Sequence, residues 1–446
     1  MKRAFQSLLY VGVILIMTGS SSETSVMTRL DNVIKAEVDD LSELYFDLHR
    51  HPELSLFEKE TSKKMAGELR EIGFEVTENF GGYGVVGVYK NGDGPVILYR
   101  TDMDALPMQE KTGLPYASKS IAKDADGIEV NTMHSCGHDM HMTVWNGTAR
   151  ALVKMKDQWK GTLVFIGQPA EEIGRGAKLM LDAGLYEKFP LPDYGIGLHC
   201  SPTIEAGKVG YGSGFTMANT ESVDIIVYGQ GSHGATPHQS IDPIVLASLI
   251  VMDLQTIVSR TIPPTESAVL TVGSIKGGTK HNIIPDEVRL QLTLRSYKEE
   301  VRQMLHKGIE RITKGAAIAA GLPENKYPKV VFPEIWTPAN YNDPQLTNDL
   351  TASARKALGE TNVLDAAPLM VGEDFSRYGL TEEDVPTVLF WLGTVPRQRI
   401  EQAAKNEEKL PGLHSPFYYP DVELTITTGV KVMSTSILDL MEKGRQ

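Results

Sequence analysis

Three imidazoles, one thiol and one carboxylate lie within nine residues, between Met133 and His141. The side chains in this run that could bind a metal ion are His134, Cys136, His138, Asp139 and His141. An ordinary core segment has no reason to carry so many such groups, because buried polar side chains cost free energy unless they are partnered. Thiolate, imidazole and carboxylate are common metal ligands. The run therefore predicts a metal site.

More ionisable groups follow short apolar runs that are typical of buried strands. They are Asp102 and Asp104 after residues 96–99, Glu171 and Glu172 after residues 162–166, and His199 after residues 196–198. Ligands of α/β proteins bind beyond the carboxyl ends of the strands, so we expect these groups to converge. An adjacent Glu pair is usually a solvated surface pair. Here a strand and Pro169 set its direction, so one carboxylate can bind metal while the other takes a proton from water.

The predicted helices and strands that carry these groups indicate an α/β fold with a mostly parallel sheet. Apolar residues recur with helical spacing from Asp39 to Leu48, and the pattern breaks at Pro52. Four apolar runs, at residues 96–99, 162–166, 196–198 and 387–392, are typical of strands buried on both faces. Helical segments alternate with them.

A chain of 446 residues is too long for one hydrophobic core. From about residue 221 to 322 the order of predicted elements is strand, helix, two strands and helix, which indicates an inserted α+β domain of ferredoxin-like type. A further strand at 330–332 either completes that layer or returns to the main domain. We predict a signal peptide at 1–22, a catalytic domain at 23–214 and 329–446, and the inserted domain at 215–328.

Composition and the N-terminus limit the function classes. The formal net charge of −13 argues against a nucleic-acid partner, so small-molecule chemistry fits better. Lys2 and Arg3 precede an apolar stretch at residues 8–17 and then small residues, as in a secretory signal peptide. We expect export to the periplasm or outside the cell, with no stable membrane span after processing; the alternative is an uncleaved membrane anchor.

The two cysteines, Cys136 and Cys200, leave two interpretations open. An exported protein could pair them in a disulfide. A metal-bound thiolate suits Cys136 better, because it lies inside the histidine cluster, and Cys200 would then be a small buried residue.

The motifs of this chain resemble those of the M20 metallopeptidases, in the amidohydrolase subgroup that includes aminoacylases, hippurate hydrolases, auxin-conjugate hydrolases and N-acetyl-diaminopimelate deacetylases. The resemblance extends from Leu48 to Pro416. Its motifs are residues 48–55, 100–107, 134–139, 168–172, 197–199, 372–375 and 413–416.

The resemblance implies a site of two divalent metal ions, zinc or manganese, with cobalt and nickel also compatible. The implied ligands are Cys136 as the bridge, His138, Glu172, His199 and His414. Glu171 would be the general base and Asp102 a carboxylate that steadies a ligand. His134 and His141 are interpreted as supporting or structural groups.

The inserted domain would act as a lid and a dimerisation domain. The resemblance implies that His233 reaches the active site of a partner subunit and polarises the scissile carbonyl, in a homodimer. Asn282, Arg295 and Gly372 match substrate-binding positions, with Arg295 on the substrate carboxylate; the alternative for Arg295 is a solvated strand end.

The leading hypothesis is a metal-dependent amidohydrolase that cleaves N-acyl amino acids or similar conjugates to a carboxylic acid and an amino acid. The alternatives are a dipeptidase or carboxypeptidase of the same fold, and an inactive metal- or ligand-binding protein. The sequence departs from the family pattern at Thr101 and Ser135, neither of which is a proposed ligand, and in the long charged stretch at 396–411, which is expected at the rim of the pocket.

Overall fold

A computed structural model describes the backbone of residues 2–444 and the side chains of residues 25–444. The predicted signal peptide, residues 1–22, lies outside the residues whose side chains are described. The helices along the described chain are α1 Lys2–Arg50, α2 Lys59–Ile72, α3 His138–Lys154, α4 Gly176–Asp182, α5 Leu185–Lys188, α6 Pro243–Thr256, α7 Glu299–Ala319, α8 Pro344–Leu358, α9 Arg397–Asn406 and α10 Val422–Lys443.

The strands are β1 Glu75–Thr77, β2 Val85–Lys90, β3 Val96–Asp102, β4 Ile121–Lys123, β5 Glu129–Asn131, β6 Thr162–Gln168, β7 Tyr194–Glu205, β8 Val209–Tyr211, β9 Gly214–Met217, β10 Asn219–Tyr228, β11 Ser232–His233, β12 Ala268–Gly277, β13 Ile283–Ile284, β14 Glu287–Ser296, β15 Lys329–Val331, β16 Asn340–Asn342, β17 Val363–Asp365 and β18 Thr387–Val395. Contacts divide the chain into two units, the first comprising residues 1–214, 342–366 and 377–446 and the second residues 215–341 and 367–376.

An eight-stranded sheet forms the centre of the first unit, in the order β1-β2-β6-β3-β7-β18-β8-β17. Its four middle strands, β6, β3, β7 and β18, run parallel to one another. They are the four strands predicted from apolar runs, and most of their residues are buried, as expected for parallel strands covered on both faces. The predicted α/β fold with a mostly parallel sheet is confirmed.

Helix α3 links this sheet to the outer helices of the first unit. It contacts β3 and β7, and it also packs against α1 and α10. The apolar positions of α1 that predicted an amphipathic helix, Leu41, Leu44, Tyr45 and Leu48, are all buried in this core. Because α3 begins at His138, its packing fixes the position of a predicted metal ligand.

The second unit has its own antiparallel sheet and its own core. Its elements follow one another as β10, α6, β12, β14, α7 and β15, and the strand order is β12-β14-β10-β15 with every pair antiparallel. This is a ferredoxin-like arrangement. The unit runs to residue 341 rather than to the predicted boundary at 328, because β15 pairs with β10 at the edge of the same sheet.

Among the described residues, one helical segment, Pro243–Thr261, is long and apolar enough by length and composition to cross a membrane. One face of this segment carries Leu246, Ile250 and Leu254, which lie in the core of the second unit. The opposite face exposes Val245, Leu249 and Met252.

Gly147 provides a test of the packing that positions α3. A Cβ at this position would lie 2.6 Å from Val430 Cγ2 and 2.8 Å from Leu41 Cδ1. We expect Gly147→Ala to lower the free energy of unfolding by about 1–3 kcal/mol, because overpacking a core is destabilising. Gly67→Ala in α2 is the matched control, since no atom lies within 4 Å of the added Cβ. It should raise stability by about 0.5–1 kcal/mol. Denaturant unfolding measures the free energy of unfolding of both variants. Equal changes in the two variants would contradict this account.

Candidate metal centre and active site

The five predicted metal ligands come from separate segments of the first unit and meet in one cluster. Two groups of three lie with their ligand atoms within 4.8 Å of one another: Cys136 with His138 and His199, and Cys136 with Glu172 and His414. Cys136 is the one member that both groups share, and its Sγ lies 3.6 Å from His199 Nε2 and 3.3 Å from His414 Nε2. Cys136 would therefore hold a metal ion together with ligands from either group.

The orientation of two histidine rings leaves a nitrogen lone pair facing the cluster. His138 Nδ1 donates to the backbone carbonyl of Asp104 at 2.8 Å, and His199 Nδ1 donates to the carbonyl of Cys200 at 2.9 Å. A carbonyl oxygen only accepts, so in the neutral rings the Nε2 atoms are unprotonated. This is the tautomer that a metal-bound imidazole needs, held by the kind of hydrogen bond usual for metal-binding histidines.

Two buried polar atoms in the cluster make no hydrogen bond within the described part of the chain. They are His138 Nε2 and Glu172 Oε1, which lie 3.8 Å apart. Buried polar atoms are nearly always partnered, so such a pair calls for a specific explanation. A cation would supply the missing partner for both, and the donor set of thiolate, imidazole and carboxylate fits a transition metal.

The electrostatics of the site also favour a cation. Burial disfavours the charged form of His138, but the charge of Asp102 and the hydrogen bond to Asp104 outweigh burial and raise its pKa to about 10. Burial alone would raise the pKa of Asp102, yet its positive neighbours hold that pKa well below the usual range. The surrounding carboxylates thus stabilise positive charge at the position of His138.

His141 is not available as a ligand in this arrangement. Its Nδ1 lies 2.7 Å from Asp102 Oδ1, and its Nε2 accepts the backbone N–H of Cys200 at 2.8 Å. Both nitrogens are therefore used, as the prediction of a supporting role requires. His134 is buried, and burial lowers its pKa to about 4. Its ring nitrogens make no hydrogen bond among the described residues.

Glu171 lies at the edge of the cluster, with its Oε2 3.7 Å from His138 Nε2. The backbone N–H groups of Glu171 and Glu172 both donate to the carboxylate of Asp104, at 3.1 and 3.0 Å. Asp104 therefore positions both glutamates through its side chain and His138 through its carbonyl. The sequence pattern predicted no role for Asp104. Asp102, the carboxylate expected to steady a ligand, accepts a hydrogen bond from Arg100 and contacts His141 Nδ1, and its Oδ2 lies 3.6 Å from His138 Nε2.

His414 lies on a loop between α9 and α10 and has a left-handed backbone, with φ of 59°. Its N–H donates to the carbonyl of Ser135 at 2.9 Å, which ties this loop to the segment that carries Cys136. Its side chain is half exposed, and its Nε2 lies 3.4 Å from Glu172 Oε2. The unusual stretch at 396–411 forms α9, which has no buried residue.

A second ionised cluster supports the start of α3. His49 Nδ1 lies 2.6 Å from Asp139 Oδ2, and His49 Nε2 lies 3.2 Å from Glu110 Oε2. Burial disfavours the imidazolium, but the two carboxylates outweigh it and raise the pKa of His49 to about 9. The neighbouring Lys111 N–H donates to the carbonyl of Pro416 at 2.8 Å, so the segment after Glu110 also contacts the loop of His414.

Neither cysteine forms a disulfide and both are buried, so the alternative of a disulfide between Cys136 and Cys200 is wrong for this structure. His199, expected at the end of its strand, lies inside β7, which continues to Glu205 because its later residues pair with β18.

The remaining predicted residues lie in the second unit, in two places. His233 pairs with Ile283 across β11 and β13, and the N–H of Gly234 donates to the carbonyl of Asn282 at 2.8 Å. The structure thus brings His233 and Asn282 together. Arg295 hydrogen-bonds Thr220 through Nη1, and Gly372 lies beside both of them.

The family model for "Peptidase family M20/M25/M40" matches residues 98–427. The chain belongs to this family. Among curated M20 relatives, it is 38% identical to an N-acetylcysteine deacetylase of Bacillus subtilis over 78% of this chain and 86% of that protein. It is 39% identical to a hippurate hydrolase of Campylobacter jejuni, over 74% of this chain and 82% of that protein.

A solved M20 structure extends the likeness to the fold. A dinuclear metal-binding peptidase of Bacillus subtilis is 31% identical, covers 92% of this chain and 99% of its own, and has a TM-score of 0.73. The chain is accordingly a metal-dependent hydrolase of the M20 family.

Elemental analysis of two variants tests the assignment of ligands. Cys136→Ala should lower the number of metal ions bound per chain, because both candidate groups lose their shared member. His141→Gln should keep the wild-type number at saturating metal, while the loss of a supporting contact weakens affinity by about 10- to 100-fold. Full occupancy in Cys136→Ala, or a lower stoichiometry in His141→Gln, would contradict the assignment.

Proposed function

We propose that the protein is an amidohydrolase that cleaves the amide bond of an N-acyl amino acid or a similar small conjugate. The products are a carboxylic acid and an amino acid. One observation carries this proposal: the Glu171 carboxylate lies 3.7 Å from His138 Nε2, at the edge of a complete set of five ligand-type side chains. The similarity to an N-acetylcysteine deacetylase and to a hippurate hydrolase supports the choice of substrate.

Two divalent cations, when bound, would lower the pKa of a water molecule and polarise the scissile carbonyl. Zinc or manganese suits the donor set, and cobalt or nickel is also compatible. The chain's own contribution begins at Glu171, which accepts the proton of the attacking water and returns it to the leaving nitrogen. Asp104 keeps the Glu171 backbone in place during both transfers.

In this proposal, His233 of the partner subunit donates a hydrogen bond to the carbonyl oxygen. Its Nδ1 accepts the N–H of Ala235 at 3.0 Å, so the neutral ring carries its proton on Nε2. The side chain is exposed, which leaves Nε2 accessible to a substrate. A donor aimed at developing negative charge stabilises the transition state more than the ground state.

In this proposal, Arg295 binds the carboxylate of the amino-acid part of the substrate, and Asn282 makes a further polar contact. Its side chain is partly buried, and burial lowers the pKa of the guanidinium. A Cβ at Gly372 would lie 2.2 Å from Thr220 Oγ1 and 3.4 Å from Arg295 Nη1. Glycine therefore leaves room beside the guanidinium for a ligand.

We propose a homodimer that pairs through the second unit. Val245, Leu249 and Met252 form an exposed apolar stripe on α6, and such stripes commonly mark protein interfaces. Light scattering of the purified chain measures its mass in solution, and a monomer at micromolar concentration would contradict the proposed homodimer.

We also propose export through residues 1–22, which mass spectrometry of the mature N-terminus tests.

Glu171→Gln tests the central catalytic role. We expect the variant to keep its metal content and to lose about 10²- to 10⁴-fold in kcat, because the amide cannot accept a proton. Glu172→Gln is the matched control one residue away, and it should lower metal content instead. Substantial residual turnover in Glu171→Gln would sink the assignment.

A substrate panel separates this function from the alternatives. Acetyl-, benzoyl- and aminoacyl-amino acids should be compared by kcat/KM with the metal-loaded protein. The proposal expects the acyl compounds to be preferred. Preference for the aminoacyl compounds would indicate a dipeptidase, and no turnover on any of them would indicate a binding protein.

Arg295→Gln tests substrate recognition. We expect kcat/KM to fall by about 10- to 100-fold for a substrate with a free carboxylate, the usual size of a lost charged hydrogen bond. The corresponding carboxamide substrate should be nearly unaffected by the substitution. Equal losses on both substrates would show that Arg295 acts by another route.

A further inference from the structure

Six non-glycine residues of the first unit have left-handed backbones, which side-chain-bearing residues rarely adopt, and two of these six share one hydrogen-bond acceptor. Leu56 has φ of 69° and Ala170 has φ of 53°. Both donate their backbone N–H to the same oxygen, Oε1 of Glu58, at 2.9 and 2.8 Å. Strained conformations of this kind persist only where the surroundings hold them. One carboxyl group therefore holds two strained positions that lie far apart in the chain.

Glu58 does not serve the helix that it precedes. It occupies the position directly before α2, yet its side chain makes no capping hydrogen bond there. It is fully buried, which is rare for a glutamate unless it is partnered. Its side-chain hydrogen bonds go instead to Leu56 and, 112 residues along the chain, to Ala170.

Ala170 directly precedes Glu171, so its backbone conformation sets the direction in which the chain continues into Glu171 and Glu172. The next two N–H groups, those of Glu171 and Glu172, are held by Asp104. Three consecutive backbone N–H groups are thus held by two buried carboxyl groups. Glu58 holds the first of them, at the residue where the backbone is strained.

We propose that Glu58 is a positioning residue for proton transfer: it holds Ala170 in the left-handed conformation that directs the carboxylate of Glu171 toward the metal cluster. This inference rests on the proposed function, since it assigns the proton transfer to Glu171. It also explains why an alanine can occupy a position where glycine would be the ordinary choice.

Glutamine and methionine form a matched pair of replacements for Glu58. Burial and the charge of Asp104 raise the pKa of Glu58 to about 8, so a neutral side chain of the same length is a fair substitute. Glutamine keeps an oxygen that can accept the N–H of Ala170. Methionine fills similar space without such an acceptor. The pair therefore isolates the hydrogen bond from volume and charge.

We expect Glu58→Gln to keep kcat within about threefold of wild type and Glu58→Met to lower it by about 10- to 100-fold, the size typical of a displaced catalytic group. KM and metal content should stay unchanged in both variants. Adding Ala170→Gly to Glu58→Met should restore part of kcat, because glycine adopts the left-handed conformation without strain. The double variant also covers the case in which Glu58→Met alone does not fold.

Glu53→Ala controls for a general loss of stability in the same segment. The Glu53 carboxylate accepts the N–H of Thr61 at the start of α2, at 2.7 Å. Its removal should lower the melting temperature and leave kcat unchanged. Wild-type kcat in Glu58→Met, an equal loss in Glu58→Gln, or an equal loss in Glu53→Ala would each overturn the inference.

Crystal structures of the wild type and of the Glu58→Met variants give a readout that does not depend on activity. We expect Ala170 to leave the left-handed region in the single variant and the Glu171 carboxylate to move by about 1 Å or more. Superposable residues 169–172 would overturn the inference even if the enzyme is active. If the wild type hydrolyses no N-acyl amino acid, the proposed function fails, and the structures still decide the role of Glu58.

Discussion

Buried negative charge in need of a cation is the constraint on which the rest of the centre depends. Asp102, Asp104, Glu171 and Glu172 are all largely buried around His138, and burying ionised carboxylates costs several kcal/mol each unless they are compensated. The two aspartates have protein partners in backbone N–H groups, Arg100 and His141. On the side facing Cys136, His138 Nε2 and Glu172 Oε1 have no hydrogen-bond partner in the described chain. A cation at this position would supply a partner for both atoms and reduce the repulsion among the buried carboxylates.

The fold meets this constraint with rigid elements. Strands β3 and β6 end at the cluster and β7 carries His199 within it, while the core packing of α3 fixes His138. The less regular segments are held by hydrogen bonds from their backbone N–H groups. The N–H of His414 donates to the carbonyl of Ser135. The N–H groups of Ala170 and Glu171 donate to the carboxyl groups of Glu58 and Asp104. Left-handed backbones occur at Ala170 and His414, where the chain must turn sharply to aim a functional group.

Much of this organisation could be predicted from sequence, because it follows from local patterns. Apolar runs predicted the four parallel strands, and the ionisable groups after three of them predicted that the glutamate pair and His199 converge. The full set of five ligands, with His414, followed only from the resemblance to the M20 family. The roles of Asp104, Glu58 and His49 could not be predicted in this way. Each acts through a hydrogen bond to a residue far along the chain, 67 residues for Asp104 to Glu171, 90 for His49 to Asp139 and 112 for Glu58 to Ala170, and such bonds leave no periodic signal. The edge strand at 329–331 was ambiguous because a three-residue strand fits either sheet.

Anomalous diffraction from crystals of the metal-loaded protein, recorded at the absorption edge of zinc or manganese, tests the central claim most directly. The account predicts two anomalous peaks per chain, both within bonding distance of Cys136 Sγ, at about 2.3 Å for zinc. One should also contact Glu172 or His414, and the other His138 or His199. A single peak, or two peaks of which neither touches Cys136, would contradict a centre built around a shared thiolate.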